Sequence, residues 1–152
     1  MHNIMKINTK TRYGIRTIME LALKRADNDI YQKDISRNQE ISYKYLDQII
    51  AGLKSAGLAI SVSGKKSGYR LTREPDKITA YDIYTAFNSR PAVVDCLSDH
   101  GICTKKERCA ARDFWEGLND VIVEYLKSKT VNDLVKNQVN LDKQQEELIY
   151  HI

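Results

Sequence analysis

The chain has 152 residues, 42% of them hydrophobic and 29% charged, and a net charge of +4. That is the profile of a soluble globular chain of one domain, or of a small domain with an appendage. No run approaches the roughly 18 apolar residues of a membrane span. The opening MHNIMKINTKTRYG lacks the apolar core of a secretory signal, so a cytoplasmic protein without a membrane partner is expected. Charge is unevenly placed: residues 1–80 hold 15 Lys+Arg against 8 Asp+Glu, and the remainder 9 against 12. A basic front half suits a polyanionic partner, and an acidic back half suits solvation or protein contacts.

In residues 9–26, Ile15, Ile18, Met19, Ala22 and Leu23 form the stripe of an amphipathic helix. Lys10, Arg12 and Arg16 collect near its start, where the helix dipole gains nothing from cations. They form either a solvated face or a face beside a phosphate backbone. Residues 32–57 predict a short helix over Lys33–Asn38 that buries Ile35, followed by a tight turn at Gln39–Ile41. Ser42 then caps a second helix that carries Leu46, Ile49, Ile50 and Leu53 inward, and Gly57 provides a left-handed stop. This is a helix-turn-helix pattern, one that many helical hairpins share.

LAISVS (58–63) and YRLTR (69–73) alternate, with Leu58, Ile60 and Val62 on one face and Tyr69 and Leu71 on another. Between them, Gly64–Gly68 reads as a hairpin tip carrying Lys65 and Lys66. A basic hairpin directly after a helix-turn-helix is the winged form of the motif; the plainer reading is an exposed turn. Pro75 ends the hairpin, and Thr79 with Asp82 resembles a capping box for a helix with Ile83 and Phe87 inward. Pro91 breaks that helix.

All three cysteines lie in one polar loop, DCLSDHGICTKKERC, at Cys96, Cys103 and Cys109. Three thiols so gathered suggest a soft-metal or iron–sulfur site. The following AARDFWEGLNDVIVEYLKSK carries Phe114, Leu118, Val121, Ile122 and Tyr125, with Trp115 and Leu126. So wide a stripe calls for a partner helix from a second copy, or for packing onto its own domain. From about Val131 the tail has a short apolar set, Val131, Leu134 and Val135, then turns polar. Its end is expected to be loosely ordered, or helical only on contact.

KINTKTRYGIRTIMELAL, ISYKYLDQIIAGLKSAGL, GKKSGYRL, KITAYDI and the cysteine loop occur in an order that resembles the Rrf2 family of winged-helix transcription regulators. The resemblance implies a mainly α fold with a small β-hairpin wing, and a homodimer bound to pseudo-palindromic double-stranded DNA. It divides the chain into a winged helix-turn-helix domain (1–88), a cysteine loop (89–112), a dimerisation helix (113–130) and a tail (131–152). It also implies that Ser42, Tyr43, Lys44, Asp47 and Gln48 face base edges, while Lys10, Arg12, Tyr13, Arg16 and Tyr45 contact phosphates. Gly64, Lys65 and Lys66 would form the wing tip, with Ser63 where relatives often carry Arg.

Members with three loop cysteines typically bind an iron–sulfur cluster, so Cys96, Cys103 and Cys109 become ligands of a 2Fe–2S or 4Fe–4S centre that sets DNA affinity. Arg112 and Arg12 stand where other members place a fourth ligand, and an arginine cannot ligate. His100 is then the leading candidate for that position, ahead of Asp99, Glu107 and Asp113. The expected function is a repressor that senses iron–sulfur status, redox state or nitric oxide. Zinc held by the three cysteines with His100, or a thiol redox switch, would serve the same regulator. A small electron-transfer protein is the more distant alternative. The chain has no phosphate loop and no nucleophile–base pair at a recognisable spacing, so an enzyme is not expected.

Overall fold

The computed structural model describes Met5 and residues 7–24, 30–62 and 68–150. Helix α1 (Thr9–Leu23) starts where Asn8 accepts from the Thr11 amide at 2.8 Å. Its buried face is Gly14, Thr17, Ile18 and Leu21, rotated from the stripe read off the hydrophobic residues. The reason lies across the interface, where the Phe87 ring occupies the space beside Gly14. A glycine and a threonine are invisible to a pattern of apolar residues.

Helix α2 (Gln32–Gln39) buries Ile35, and Glu40 makes the turn in the left-handed region at φ 52°. Two hydrogen bonds close that turn: Ile41 N–H donates to Ser36 O (3.0 Å), and the Ser36 hydroxyl donates to Ile41 O (2.6 Å). Helix α3 (Tyr43–Ser55) is capped by Ser42, which accepts from Tyr45 N–H. Leu46, Ile49, Ile50 and Leu53 all point into the core. Gly57, at φ 69°, lets Leu58 N–H reach back to Leu53 O at 2.9 Å, which closes the helix end.

Strands β1 (Ala59–Val62) and β2 (Gly68–Leu71) are antiparallel, with Ala59 opposite Leu71 and Ile60 opposite Arg70. Leu58 is buried just before the strand, Ala59 and Leu71 face the core, and Ile60 turns outward. The register puts Tyr69 and Leu71 on one face with Ala59, and Ile60 on the other, because side chains alternate with a period of two. The tip, with Gly64, Lys65 and Lys66, lies outside the described residues. Ile30 adds a bridge to Tyr69 on the other edge of β2, with amide–carbonyl bonds of 2.9 and 3.3 Å.

Helix α4 (Ala80–Phe87) opens on the Thr79–Asp82 capping box. Its last residue, Phe87, fits edgewise between Gly14 of α1 and Gly52 of α3, so the two glycines let three helices meet on one ring. Asn88 then ties α4 to α1: its amide donates to the Thr11 hydroxyl (2.7 Å) and its carbonyl accepts from Asn8 (2.9 Å).

Beyond the cysteine loop run α5 (Ala110–Ser128) and α6 (Val131–Tyr150). The tail expected to end loosely ordered, or helical only on contact, is therefore helical to Tyr150. Thr130 and Asp133 cap α6 reciprocally, a pairing the apolar pattern had not singled out. Val131 N–H donates to Ile78 O and Ala80 N–H to Lys129 O, both at 2.8 Å, and Val131 is fully buried in the common core. The first half of α6 thus packs back along α1, with Val135 against the core, while its second half is exposed. No helix among the described residues is long and apolar enough to cross a membrane.

Candidate nucleic-acid interface and cysteine loop

Burying one side of α3 forces its other side outward. Ser42, Tyr43, Lys44, Asp47 and Gln48 are all exposed along its first turns, and Tyr45 is half-buried. The turn at Glu40 joins α2 to this end of α3, where Tyr43 shares a cleft with Gln32 of α2 and with Ser61, Val62, Gly68 and Tyr69 of the hairpin. A hydroxyl, an amide, a carboxylate and an amine there match the donors and acceptors of base edges in a major groove.

Lys10 and Arg12 are exposed on the first turn of α1. The other three α1 and α3 residues expected at phosphates have internal partners. Tyr13 and Tyr45 pack edge to face with ring centres 5.8 Å apart. Arg16 lies over Tyr13 at 5.4 Å and donates to the Gln39 side chain (2.8 Å) and backbone carbonyl (3.2 Å). These residues brace α1 against α2 and α3. Behind them the buried Glu20 carboxylate accepts from Asn38 (2.6 Å) and Gln39 (2.8 Å), which holds the end of α2.

A second network went unnoticed in the sequence. Gln32, the first residue of α2, donates its amide N–H to Asp47 Oδ1 and lies 3.4 Å from the Tyr43 carbonyl; its Oε1 accepts from Tyr69 Oη at 3.2 Å. Burial, then the neighbouring Asp47 and Tyr43, raise the Tyr69 pKa above 10.0, which keeps the phenol protonated and able to donate. No periodicity marks a glutamine whose partners lie 15 and 37 residues away.

The cysteine loop begins with a short 3₁₀ turn, Asp95–Leu97, and folds back so tightly that a Cβ on Gly101 would lie 2.1 Å from the Asp95 carbonyl oxygen. A second 3₁₀ turn, Lys106–Arg108, leads to Cys109 at the start of α5. Arg112 fastens the loop by donating to Cys96 O (2.7 Å) and pairing with Glu116 (2.7 Å). Cys96 and Cys109 are half-buried and Cys103 is exposed. Among the described residues, no three His, Cys, Asp or Glu side chains gather as metal ligands. That includes the expected set of Cys96, Cys103 and Cys109 with His100, and equally Asp99, Glu107 and Asp113. Three thiols in one loop suit a soft metal by chemistry.

Taken together, helix, left-handed turn, exposed helix and antiparallel hairpin on one core define a winged helix-turn-helix protein of the nucleic-acid-binding class. Residues 7–137 match the Rrf2 profile, described as an iron-dependent transcriptional regulator. The chain belongs to the Rrf2 family of transcriptional regulators. It is 36% identical over 148 residues to the HTH-type transcriptional regulator CymR of Bacillus subtilis, covering 97% of this chain and 100% of that one. To IscR of Xenorhabdus nematophila it is 32% identical, covering 91% and 84%. The solved structure of CymR, described as the global cysteine regulator of B. subtilis, superposes with a TM-score of 0.76 over 88% of this chain and 98% of that one. The relatives are regulators rather than enzymes, in agreement with the sequence reading.

Proposed function

We propose that this chain is a homodimeric repressor that reads a pseudo-palindromic operator with α3 and is controlled through its cysteine loop. The observation that carries the DNA-reading part is the exposed N-terminal end of α3, with Ser42, Tyr43, Lys44, Asp47 and Gln48 held outward by a fully buried opposite face. Those five residues face the bases. Lys10 and Arg12 contact phosphates, as do Gly64, Lys65 and Lys66 of the wing. Tyr13, Tyr45 and Arg16 supply the rigid contact between helices. Homodimerisation is supported by α5, where Phe114, Leu118, Val121 and Tyr125 are all exposed at helical spacing.

Control through the loop has two chemical forms. The iron–sulfur form assigns Cys96, Cys103 and Cys109 as ligands and draws on the three thiols and on the family's iron-dependent description. The thiol form is favoured by one observation: Cys103 is exposed. A relative from Staphylococcus aureus, CymR, has been solved in an oxidised form. In either form a differential affinity of about 1–3 kcal/mol between two states of the loop makes a working switch.

The test is anaerobic purification, followed by iron, sulfide and zinc analysis and by DNA binding across a salt series. Log affinity should fall by about 0.9 per phosphate neutralised against log salt. A flat response refutes DNA binding through the basic face. Stoichiometric iron and sulfide select the cluster form. Metal-free protein whose DNA affinity changes with oxidation selects the thiol form. If the triple Cys→Ser protein responds as wild type does, both are refuted.

A further inference from the structure

We infer that Gln32 is a specificity-determining positioning residue: it fixes the Asp47 carboxylate on the reading helix and anchors it to the wing through Tyr69. The inference rests on the proposed DNA-reading role of α3 and extends it to a residue outside that helix.

Asp47 Oδ1 and the Tyr43 carbonyl can only accept, so the NH₂ end of the Gln32 amide must face them. Its Oε1 then points the other way, where the Tyr69 hydroxyl donates to it. Both ends of the amide are engaged, and a flip would set Oε1 against two pure acceptors, Asp47 Oδ1 and the Tyr43 carbonyl. Tyr69 is itself held in place, because its backbone pairs with Ile30 on one side and with Ser61 on the other. Gln32 follows Ile30 by two residues, so one short segment grips Tyr69 by backbone and by side chain.

The consequence falls on Asp47. On an exposed helix face a carboxylate rotates freely and loses entropy when it engages a base. Here Gln32 occupies Oδ1 and leaves Oδ2 to accept from a base donor such as cytosine N4. The same bond keeps the carboxylate from swinging toward a neighbouring lysine. Since the anchor of Gln32 is a strand of the wing, any shift of the hairpin against α3 is transmitted to the side chain that reads the base.

The experiment selects binding sites from a random duplex pool with wild-type protein, Asp47→Ala, Gln32→Leu, Tyr69→Phe and the double variant Asp47→Ala/Gln32→Leu. The position at which Asp47→Ala loses its preference identifies the base read by Asp47. There, a wild-type preference of about tenfold should fall to about twofold in Gln32→Leu. Affinity for a nonspecific duplex, its salt slope and the thermal midpoint should be unchanged, which a merely structural role would not predict. Tyr69→Phe, which deletes one hydroxyl, should give an intermediate loss. Gln32→Leu should add nothing in the Asp47→Ala background. The inference is overturned if Gln32→Leu and Tyr69→Phe keep the wild-type preference at that position, or if the Asp47 and Gln32 effects add independently. Wild-type protein that binds DNA without salt dependence or base preference would overturn the DNA-reading role itself, and this inference with it.

Discussion

Replacing Gly14 by alanine tests the central packing feature of the fold by the sign of its effect. In an exposed helix interior the change should stabilise by about 1 kcal/mol, since alanine is the better helix former. At this position the new Cβ would lie 2.4 Å from Phe87 Cε2, roughly 1 Å inside ordinary carbon contact. The ring cannot retreat, because a Cβ on Gly52 would lie 2.4 Å from Cε1 on the opposite edge. Overpacking a tight core costs up to about 3 kcal/mol. Less the helix gain, Gly14→Ala should destabilise by about 2 kcal/mol, and Gly52→Ala by a similar amount. For a chain of this size that lowers Tm by about 4–8 °C. Thermal and urea unfolding, at one fixed concentration because the midpoint of a self-associating protein depends on it, provide the measurement. In a Phe87→Leu background the ring edge is gone, and Gly14→Ala should change sign and stabilise by up to about 1 kcal/mol. If Gly14→Ala raises Tm in the wild-type background, or stays equally harmful in the Phe87→Leu background, the clamp does not exist.

Three further outcomes are expected. Glu40 sits at φ 52° in the turn before α3. Glu40→Gly should be neutral or mildly stabilising by urea unfolding, and Glu40→Val should cost about 1 kcal/mol or more, since branching at Cβ is disfavoured there. The Asp133 carboxylate, which caps α6, is held below its ordinary pKa of 3.8 by bonds from the Thr130 backbone and hydroxyl. Being lowered in the folded state, it contributes stability that is fully present above pH 3.8 and lost as pH falls through its folded value. The unfolding difference between wild type and Asp133→Asn should therefore be constant near neutrality and shrink in acid. Arg112→Ala, which releases the Cys96 carbonyl and Glu116, should speed alkylation of Cys96 by a thiol reagent, read by peptide mass mapping. An unchanged rate would show that Arg112 does not fasten the loop.

Much of this protein was legible in its sequence because the signals were local. Ser42 as a cap, Gly57 as a left-handed stop, the Thr79–Asp82 box and the buried set Leu46, Ile49, Ile50 and Leu53 depend on neighbours within a few residues, and all appear as read. The helix-turn-helix, the hairpin after it and the candidate reading face follow from these. Only the tertiary structure decided which side of α1 is buried, because that depends on a Phe87 ring meeting glycines from two other helices. It also decided that Ile60 faces outward, that Val131 anchors a complete sixth helix, and that Gln32 meets Asp47 and Tyr69. It also decided the exposure of the three cysteines, with Cys96 and Cys109 half-buried and Cys103 exposed. The division has one physical cause. Caps, turns and helical stripes are contacts along the chain, whereas packing, register and the convergence of polar side chains are contacts between segments, which exist only once the chain has folded.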